Sequence, residues 1–531
     1  MTQSQGAQTA RADGTDLAWR RNSIPSATAK ATSWLVPSLL IALPALPVIC
    51  ALVVAIRPSA NFAHIVQYLL ADMLVTTIAL VGVSLAIATC LGTLLAWLVT
   101  AFEFWGRRVL TWALVLPLAI PAYVAAYAWG DLTGVRGFWV GVLVYVTTLY
   151  PYIYLSARSA FEAQSVCALE AARVLGAGTW QRFVHVALPL ARPAIVAGAA
   201  LAGLEMASDY GAADHLGLST LTIGIFRAWF SMGDLAAAAR LSMILLLVIG
   251  SLVWAERSAR KGAIAGGSKR WRSPTRVTLS PLANAAASGL CGVFLMMAFV
   301  VPVAHLVQLG AAFGAPNRDF VEPLLATSLL CMVGAIATLT CAGLGAFVSR
   351  NNIWASPLVA TAALAGYATP GAVTALGILA ALSLIGHGVT AALAGGFAVF
   401  ALAYAYATRF TAAGLEPMLA GLEKSSQNMR EAATALGSRP FDRFMRVDAP
   451  LAAPSAFAAA LIVAVEIAKE LPATTILRPL GLDTLAVRAH AYAADERLGA
   501  AAWPALAIVA LALVPILIFS HGLSNARAGQ T

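Results

Sequence analysis

Long apolar segments separated by short polar ones run along this chain of 531 residues. A helix needs about 20 apolar residues to cross the hydrocarbon core of a bilayer. Segments of that length predict an all-α polytopic membrane protein with about twelve spanning helices, in two series of six. The first series covers residues 33–56, 70–100, 109–129, 137–156, 194–213 and 236–255. The second series covers residues 283–308, 325–348, 356–382, 388–408, 454–472 and 501–520.

The basic residues give this topology a direction, because cytoplasmic loops of membrane proteins carry an excess of lysine and arginine. With the N-terminus inside, 25 of the 34 lysines and arginines fall on the cytoplasmic side, Arg409 among them. We therefore expect a multi-pass protein of a bacterial inner membrane with both termini in the cytoplasm. The net charge of +10 belongs to these loops, and no nucleic-acid-binding surface is expected.

The composition excludes a soluble protein, since 60% of the residues are hydrophobic and only 11% are charged. The six cysteines and seven histidines show no metal-ligand spacing, so no metal site is expected. The sequence contains neither HExxH nor GxSxG, and we predict a transport subunit without catalytic residues. A GxxxxGK[ST] phosphate loop is also absent, so ATP and Mg would bind to partner subunits.

An internal repeat divides the chain. Residues Glu170–Pro193 align without a gap to Glu431–Pro454, at an offset of 261 and with 12 of 24 positions identical. Each copy predicts a short helix with Glu-Ala-Ala, a glycine that ends it, and prolines that enter the next span. Gly176 and Gly437 are therefore expected to have positive φ. Two helices resting on lipid headgroups are the alternative interpretation.

The repeat and the composition predict two halves joined by a flexible linker. The linker is rich in Gly, Ser, Pro and basic residues. The expected segments are a cytoplasmic N-terminal segment 1–32, a first half 33–255, the linker 256–282, a second half 283–520 and a tail 521–531. The permease domains themselves are expected at about 70–255 and 324–520.

The repeated motif resembles the cytoplasmic loop signature of type I ABC importer permeases. The matching residues are Glu170, Ala171, Ala172, Gly176 and Pro189 in the first copy, and Glu431, Ala432, Ala433, Gly437 and Pro450 in the second, where Ala449 replaces the usual leucine. The resemblance implies a coupling helix in each half that docks on one of two ATPase subunits. It also implies a periplasmic or extracellular substrate-binding protein, with no cofactor on this chain.

Three further segments resemble fused ferric iron importer permeases: Leu116–Trp129, Leu149–Phe161 and Lys469–Leu506. This resemblance implies iron import by alternating access between the two halves. Related fused permeases carry thiamine or organophosphonates, and these cargoes remain alternatives. An ion-coupled secondary transporter is a second alternative, because such proteins also have twelve spans in two repeats.

Carboxylates inside the predicted spans follow the same repeat. Glu205 matches Glu466, and Asp209 matches Glu470 at the offset of 261, while Lys469 adds a cation. Spacing of four residues predicts that each pair shares one helix face. The five groups would carry a charge of −3 if all were ionised. They are expected either to line a translocation path for a cation or to form structural ion pairs.

Overall fold

The computed structural model describes residues 27–164, 172, 174–260, 276–316, 318–352, 354–386, 396–479 and 481–528. These ranges are almost entirely helical. Their one sheet is a parallel pair of two-residue strands, β1 (Phe102–Glu103) and β2 (Val277–Thr278). The predicted all-α class is confirmed.

Ten helices form the described part of the first half. They are α1 (Ala27–Ala55), α2 (Phe62–Tyr68), α3 (Leu70–Ala101), α4 (Arg107–Ala113), α5 (Ala122–Thr133), α6 (Phe138–Ala163), α7 (Thr179–Ser208), α8 (Gly211–His215), α9 (Leu221–Phe226) and α10 (Leu235–Arg260).

Ten further helices form the described part of the second half. They are α11 (Pro281–Phe313), α12 (Arg318–Asn351), α13 (Ser356–Ala368), α14 (Gly371–Leu384), α15 (Phe397–Leu422), α16 (Gln427–Ala435), α17 (Pro440–Lys469), α18 (Pro472–Leu477), α19 (Leu485–Ala494) and α20 (Leu498–Ala528).

Nine helices in the described ranges are long and apolar enough to cross a membrane, and two bent helix pairs bring the total to eleven. Helix α15 is not among them, although its 26 residues exceed the length of a span. Its sequence contains Arg409 and Glu416, which lower its mean hydropathy. Helix α15 overlaps the one expected span that is not yet matched, 388–408. It packs against both α12 and α17 inside the bundle, as a spanning helix would.

Two of the expected spans, 109–129 and 356–382, are not single straight helices, because each is broken by a proline. The helices before and after Pro121 meet at 92°, and those before and after Pro370 meet at 101°. Proline forces the preceding residue out of the helical region, and Ile120 and Thr369 are both extended, with ψ of 112° and 122°. The breaks turn α5 and α14 sharply away from the helices that precede them.

The two halves repeat the same packing. Helices α3, α6 and α7 pack together in the first half, as α12, α15 and α17 do in the second. One hydrogen bond recurs in both: the Thr77 side chain accepts from the Leu221 backbone at 2.9 Å, and Thr327 accepts from Leu485 at 2.8 Å. The duplication seen in the sequence is therefore also a repeat of packing and of side-chain contacts.

The first long helix of each half packs on the other half. Helix α1 lies against α13 and α14 of the second half, and α11 lies against α4 and α5 of the first half. At the α1 contact, the Tyr404 hydroxyl donates to the Leu43 carbonyl at 2.7 Å. The two halves are thus interlocked along their length as well as joined by the linker.

Both ends of the expected linker 256–282 contain regular secondary structure. Helix α10 continues to Arg260, and residues 277 and 278 pair with β1. The Ser280 side chain then caps α11 by accepting from the Ala283 backbone at 3.4 Å. Residues 261–275 lie outside the described ranges.

Close backbone contact between α1 and α14 yields a prediction for stability. A Cβ at Gly377 would lie 2.2 Å from the Pro47 carbonyl oxygen, whereas a Cβ at Gly250 would meet nothing within 4 Å. We expect Gly377→Ala to destabilise the purified protein by about 1–3 kcal/mol through overpacking. Gly250→Ala should stabilise its helix by about 0.5–1 kcal/mol. Thermal unfolding in detergent measures both, and equal effects of the two variants would contradict the contact.

Candidate functional site

The second copy of the repeated motif forms a capped helix. Helix α16 carries the exposed Glu431 and Ala432, with Ala433 half-buried, and the Ser426 side chain accepts from the Met429 backbone at its start. Gly437 follows the helix with φ of +82°, and the Ser438 N–H donates back to the Ala433 carbonyl at 3.1 Å. This is the closure of a Schellman motif, in which glycine adopts a left-handed conformation.

The first copy closes in the same way. Gly176 has φ of +83°, and the Ala177 N–H donates to the Ala172 carbonyl at 3.0 Å. The expectation of positive φ at both glycines is confirmed. Glu170 and Ala171 lie outside the described residues, so their placement stays a prediction.

The sequence suggested that Pro189 and Pro450 begin new helices. In the structure they do not. Each lies inside a helix that is continuous through five π-helical residues, Phe183–Ala187 in α7 and Phe444–Asp448 in α17. Proline has no N–H and its ring clashes with the carbonyl four residues earlier. The wider π turn gives that carbonyl room, so the end of each motif loop and the following span form one continuous helix of 30 residues.

Matched apolar side chains project from both motif loops. Leu175 and its repeat partner Leu436 are each 87% exposed, and Trp180 and its partner Phe441 are 69% and 58% exposed. Sequence reasoning overlooked these four residues, although all of them obey the offset of 261. Exposed apolar residues outside the lipid region commonly mark a protein contact.

A buried acid holds the second loop. Asp448 is completely buried, and its carboxylate lies 4.0 Å from Arg350 and 3.8 Å from Arg430. The Arg443 guanidinium adds a hydrogen bond to the Asn351 side chain at 2.6 Å. At the offset of 261 the first half has Ala187 in place of Asp448. The sequence signal for this anchor was therefore a difference between the repeats.

The predicted intramembrane residues converge on one cavity. It has a volume of about 100 Å³ and lies between the halves, where α7 and α17 end. Its lining includes all five predicted path residues, Glu205, Asp209, Glu466, Lys469 and Glu470, together with Tyr123, Tyr152 and Arg409. The structure thus brings carboxylates from both halves together. Among the described residues, no three acidic, histidine or cysteine side chains are arranged to hold a metal ion.

The expected column of two carboxylates on one helix face is wrong in both halves. Helix α7 ends at Ser208 and α17 at Lys469, so Asp209 and Glu470 lie beyond the helices with ψ of 133° and 120°. Asp209 accepts from the Ala212 backbone at 2.9 Å and from the Tyr145 hydroxyl at 3.0 Å. Glu470 accepts in the same way from Ala473 at 2.9 Å. Both acids therefore cap the following short helices, α8 and α18.

Arg409 is the central cation of this cavity. The topology derived from the sequence placed it in a cytoplasmic loop, but it lies in the middle of α15. Its guanidinium is 3.3 Å from Glu470 and 3.8 Å from Glu205 of the other half. The Tyr367 hydroxyl donates to the same Glu205 at 3.3 Å. Glu205 is therefore held across the interface by two groups of the second half.

Arg409 also changes the charge of the site. Lys469 pairs with Glu466 at 2.8 Å within the second half. Four carboxylates and two basic groups line the cavity, which gives −2 rather than the expected −3 if all are ionised. Every one of the four carboxylates has a partner in this arrangement.

A larger apolar cavity adjoins the polar one. Its volume is about 420 Å³, and it shares Leu118, Tyr152, Glu466 and Lys469 with the smaller cavity. Its other lining residues include Trp112 near the end of α4 and Arg158 near the end of α6, the helix that leads to the first motif loop. The larger cavity therefore extends from the charged residues toward the side of the motif loops.

Contacts between the halves close the opposite side. The Tyr127 hydroxyl lies 3.0 Å from His490 Nδ1, and His490 Nε2 lies 3.2 Å from Asp214. His215 packs edge-on against Tyr127, and burial lowers the pKa of His215 to about 4, with nearby Arg136 adding to the effect. His215 is therefore neutral at physiological pH, as suits a group within this tight contact.

Comparisons with known proteins agree with this architecture. The sequence profile of the family described as "Binding-protein-dependent transport system inner membrane component" matches residues 88–262. The Fe(3+)-transport system permease protein FbpB 2 of Haemophilus influenzae is 27% identical over 85% of this chain and 89% of its own length.

Two permeases of Escherichia coli are also similar. The molybdenum transport system permease protein ModB is 32% identical over 32% of this chain and 87% of its own length. The sulfate transport system permease protein CysT is 34% identical over 23% of this chain and half of its own length. The matched family is one of binding-protein-dependent transport, which differs from the ion-coupled secondary transport considered as an alternative. This chain therefore belongs to the family of binding-protein-dependent transport system inner membrane components, as the membrane-spanning permease of an ABC importer.

Proposed function

We propose that this permease imports ferric iron, with the cargo passing between the two halves at the cavity lined by Glu205, Asp209, Glu466, Lys469 and Glu470. The observation that carries the proposal is the convergence of carboxylates from both halves on one interface cavity. A carboxylate in the membrane normally faces the interior of a bundle or a water-filled space. A net negative site favours a cation, which agrees with the Fe(3+)-transport relative.

The motif loops are proposed to be the cytoplasmic docking points for two ATPase subunits, with both termini on the same side. Exposed apolar residues at matched positions, Leu175 with Leu436 and Trp180 with Phe441, fit the surface of a partner protein better than water. Each loop leads directly into α7 or α17, whose other end borders the cavity. Movement of an ATPase would therefore be transmitted directly to the charged residues.

The cavities support an inward-facing state within an alternating-access cycle. The apolar cavity extends toward the motif loops, while Tyr127, His490 and Asp214 close the opposite side. A periplasmic or extracellular binding protein would deliver cargo to that closed side. ATP binding would draw the loops together and rock the halves open there.

An oxyanion cargo is the second candidate, because ModB and CysT are molybdenum and sulfate permeases. Arg409 and Lys469 would supply the positive charge. Both are already paired with carboxylates, and the carboxylates outnumber them. Uptake assays with the associated binding protein and iron, molybdate, sulfate, thiamine or an organophosphonate separate these cargoes.

Coupling through the loops gives a testable prediction. Reversing the charge of both motif acids, Glu170→Lys with Glu431→Lys, should weaken retention of the ATPase subunits and lower stimulated ATP hydrolysis about tenfold. That change corresponds to ~1.4 kcal/mol of lost contact energy. The exposed Glu416→Lys in α15 serves as the control, and co-purification with ATPase assays is the measurement. Normal complexes and normal hydrolysis in the double variant would refute the docking role.

The cargo path gives a second prediction. Neutralising Glu205 and Glu466 together as glutamines should reduce iron uptake into proteoliposomes about tenfold, equivalent to ~1.4 kcal/mol. ATP hydrolysis should fall much less, because the motor loops are unchanged. Glu416→Gln is the control for loss of a carboxylate outside the cavity. If the double variant takes up iron normally, the carboxylates have only a structural role.

A further inference from the structure

One arginine breaks the twofold repeat at the centre of the molecule. At the offset of 261, the position of Arg409 is occupied in the first half by Thr148, whose hydroxyl donates to the Val144 carbonyl at 2.8 Å. Tyr367 is likewise unmatched, since alignment through Pro121 and Pro370 places Leu118 at its position. The second half therefore supplies a charge and a hydroxyl that the first half lacks.

Both unmatched groups reach the same carboxylate. Glu205 of the first half receives the Tyr367 hydroxyl at 3.3 Å and lies 3.8 Å from the Arg409 guanidinium. Its repeat partner Glu466 pairs instead with Lys469 of its own half, at 2.8 Å. Of these two carboxylates, Glu205 is the one whose contacts cross between the halves. Its contacts therefore depend on the distance between the halves.

The Arg409 guanidinium fits beside residue 371 only because that residue is a glycine, and one of its N–H groups is left unpaired. A Cβ at Gly371 would lie 2.5 Å from Glu470 and 2.6 Å from the Arg409 guanidinium. The side chain of Arg409 is only 11% exposed, and its Nε finds no hydrogen-bond partner. A buried guanidinium with an unsatisfied N–H is held by its charge contacts and not by a complete hydrogen-bond network.

We propose that Arg409 is a resident counter-ion that expels the cargo: closing the outer side returns its guanidinium to Glu205 and displaces the transported cation toward the cytoplasm. This inference rests on the proposed function and deepens it. When the halves separate on the outer side, Glu205 loses Arg409 and Tyr367 and is free to bind a cation. When they close, Glu205 regains Arg409 and Tyr367, and its affinity for the cation is low.

The pairing of Glu205 with Arg409 also explains why the cation moves inward and does not return. In the closed arrangement a cation arriving from the cytoplasm meets carboxylates that already have partners. An opposite charge within 4–6 Å changes the proton affinity of a carboxylate by about ten- to a thousandfold. A comparable change in cation affinity between the two states is enough to make release and return unequal.

A trivalent lanthanide tests this inference. Tb³⁺ luminescence is sensitised by nearby aromatic rings, and Tyr123 and Tyr152 line the cavity. The full complex with its ATPase subunits, free of nucleotide and in nanodiscs, should bind Tb³⁺ weakly at this site. Arg409→Gln should raise the affinity about tenfold or more, as expected for removing a neighbouring opposite charge. Arg409→Lys keeps the charge and should change the affinity much less.

Two further variants make the result specific. Arg409→Gln combined with Glu205→Gln should abolish the gain, which separates the cavity from lipid and surface carboxylates. Tyr367→Phe removes one hydrogen bond and leaves the charges in place, so it should give a smaller rise and serves if Arg409→Gln cannot be purified. Unchanged Tb³⁺ affinity in Arg409→Gln, or in Tyr367→Phe if only that variant is obtained, would overturn the proposal.

The result is distinguishable from failure of the proposed function. If iron uptake survives neutralisation of Glu205 and Glu466, the path itself is elsewhere. If that uptake is lost while Arg409→Gln leaves Tb³⁺ affinity unchanged, the path stands and only the expulsion role of Arg409 is wrong.

Discussion

A guanidinium buried between carboxylates of two halves is the interaction on which the rest of this structure depends. A lone charge in a low-dielectric interior is costly, whereas a paired one is tolerated. Arg409 lies 3.3 Å from Glu470 and 3.8 Å from Glu205, so each group makes the burial of the others acceptable. The same contact joins α15 to α7, and it requires the halves to meet closely at this point.

Around that centre the molecule is a duplicated frame. Each half has the same helix packing and the same connection from its motif loop to its long helix. The matched hydrogen bonds at Thr77 and Thr327 and the matched glycines after the motif helices show this repeat. Three differences between the halves place charged or polar groups of the second half at functional sites: Arg409 and Tyr367 in the cavity, and Asp448 under one loop. In the proposed function, the two matching helices α7 and α17 would act on one unmatched contact, that of Glu205 with Arg409 and Tyr367.

Much of this could be predicted from the sequence, because hydropathy and an ungapped repeat are strong signals. They predicted the helical class, the positive φ of Gly176 and Gly437, and the carboxylates that meet in the cavity. Other features depend on three-dimensional packing. Arg409 looked like a loop residue because a charge normally ends a span, and only its partners from α7 and the end of α17 explain its burial. The ends of α7 and α17 are set by capping contacts of Asp209 and Glu470, which hydropathy does not detect.

The breaks at Pro121 and Pro370 were visible in the sequence but were outweighed by continuous apolar runs. The central claim is that the path opens where Glu205 of the first half meets the second half. The most direct test is a cryo-EM structure of the complete transporter trapped with ATP and its binding protein. The expected result is a distance from Glu205 to Arg409 well beyond 3.8 Å, with the outer side open between the halves. An ATP-bound structure in which that contact is intact while the cargo is enclosed elsewhere would contradict it.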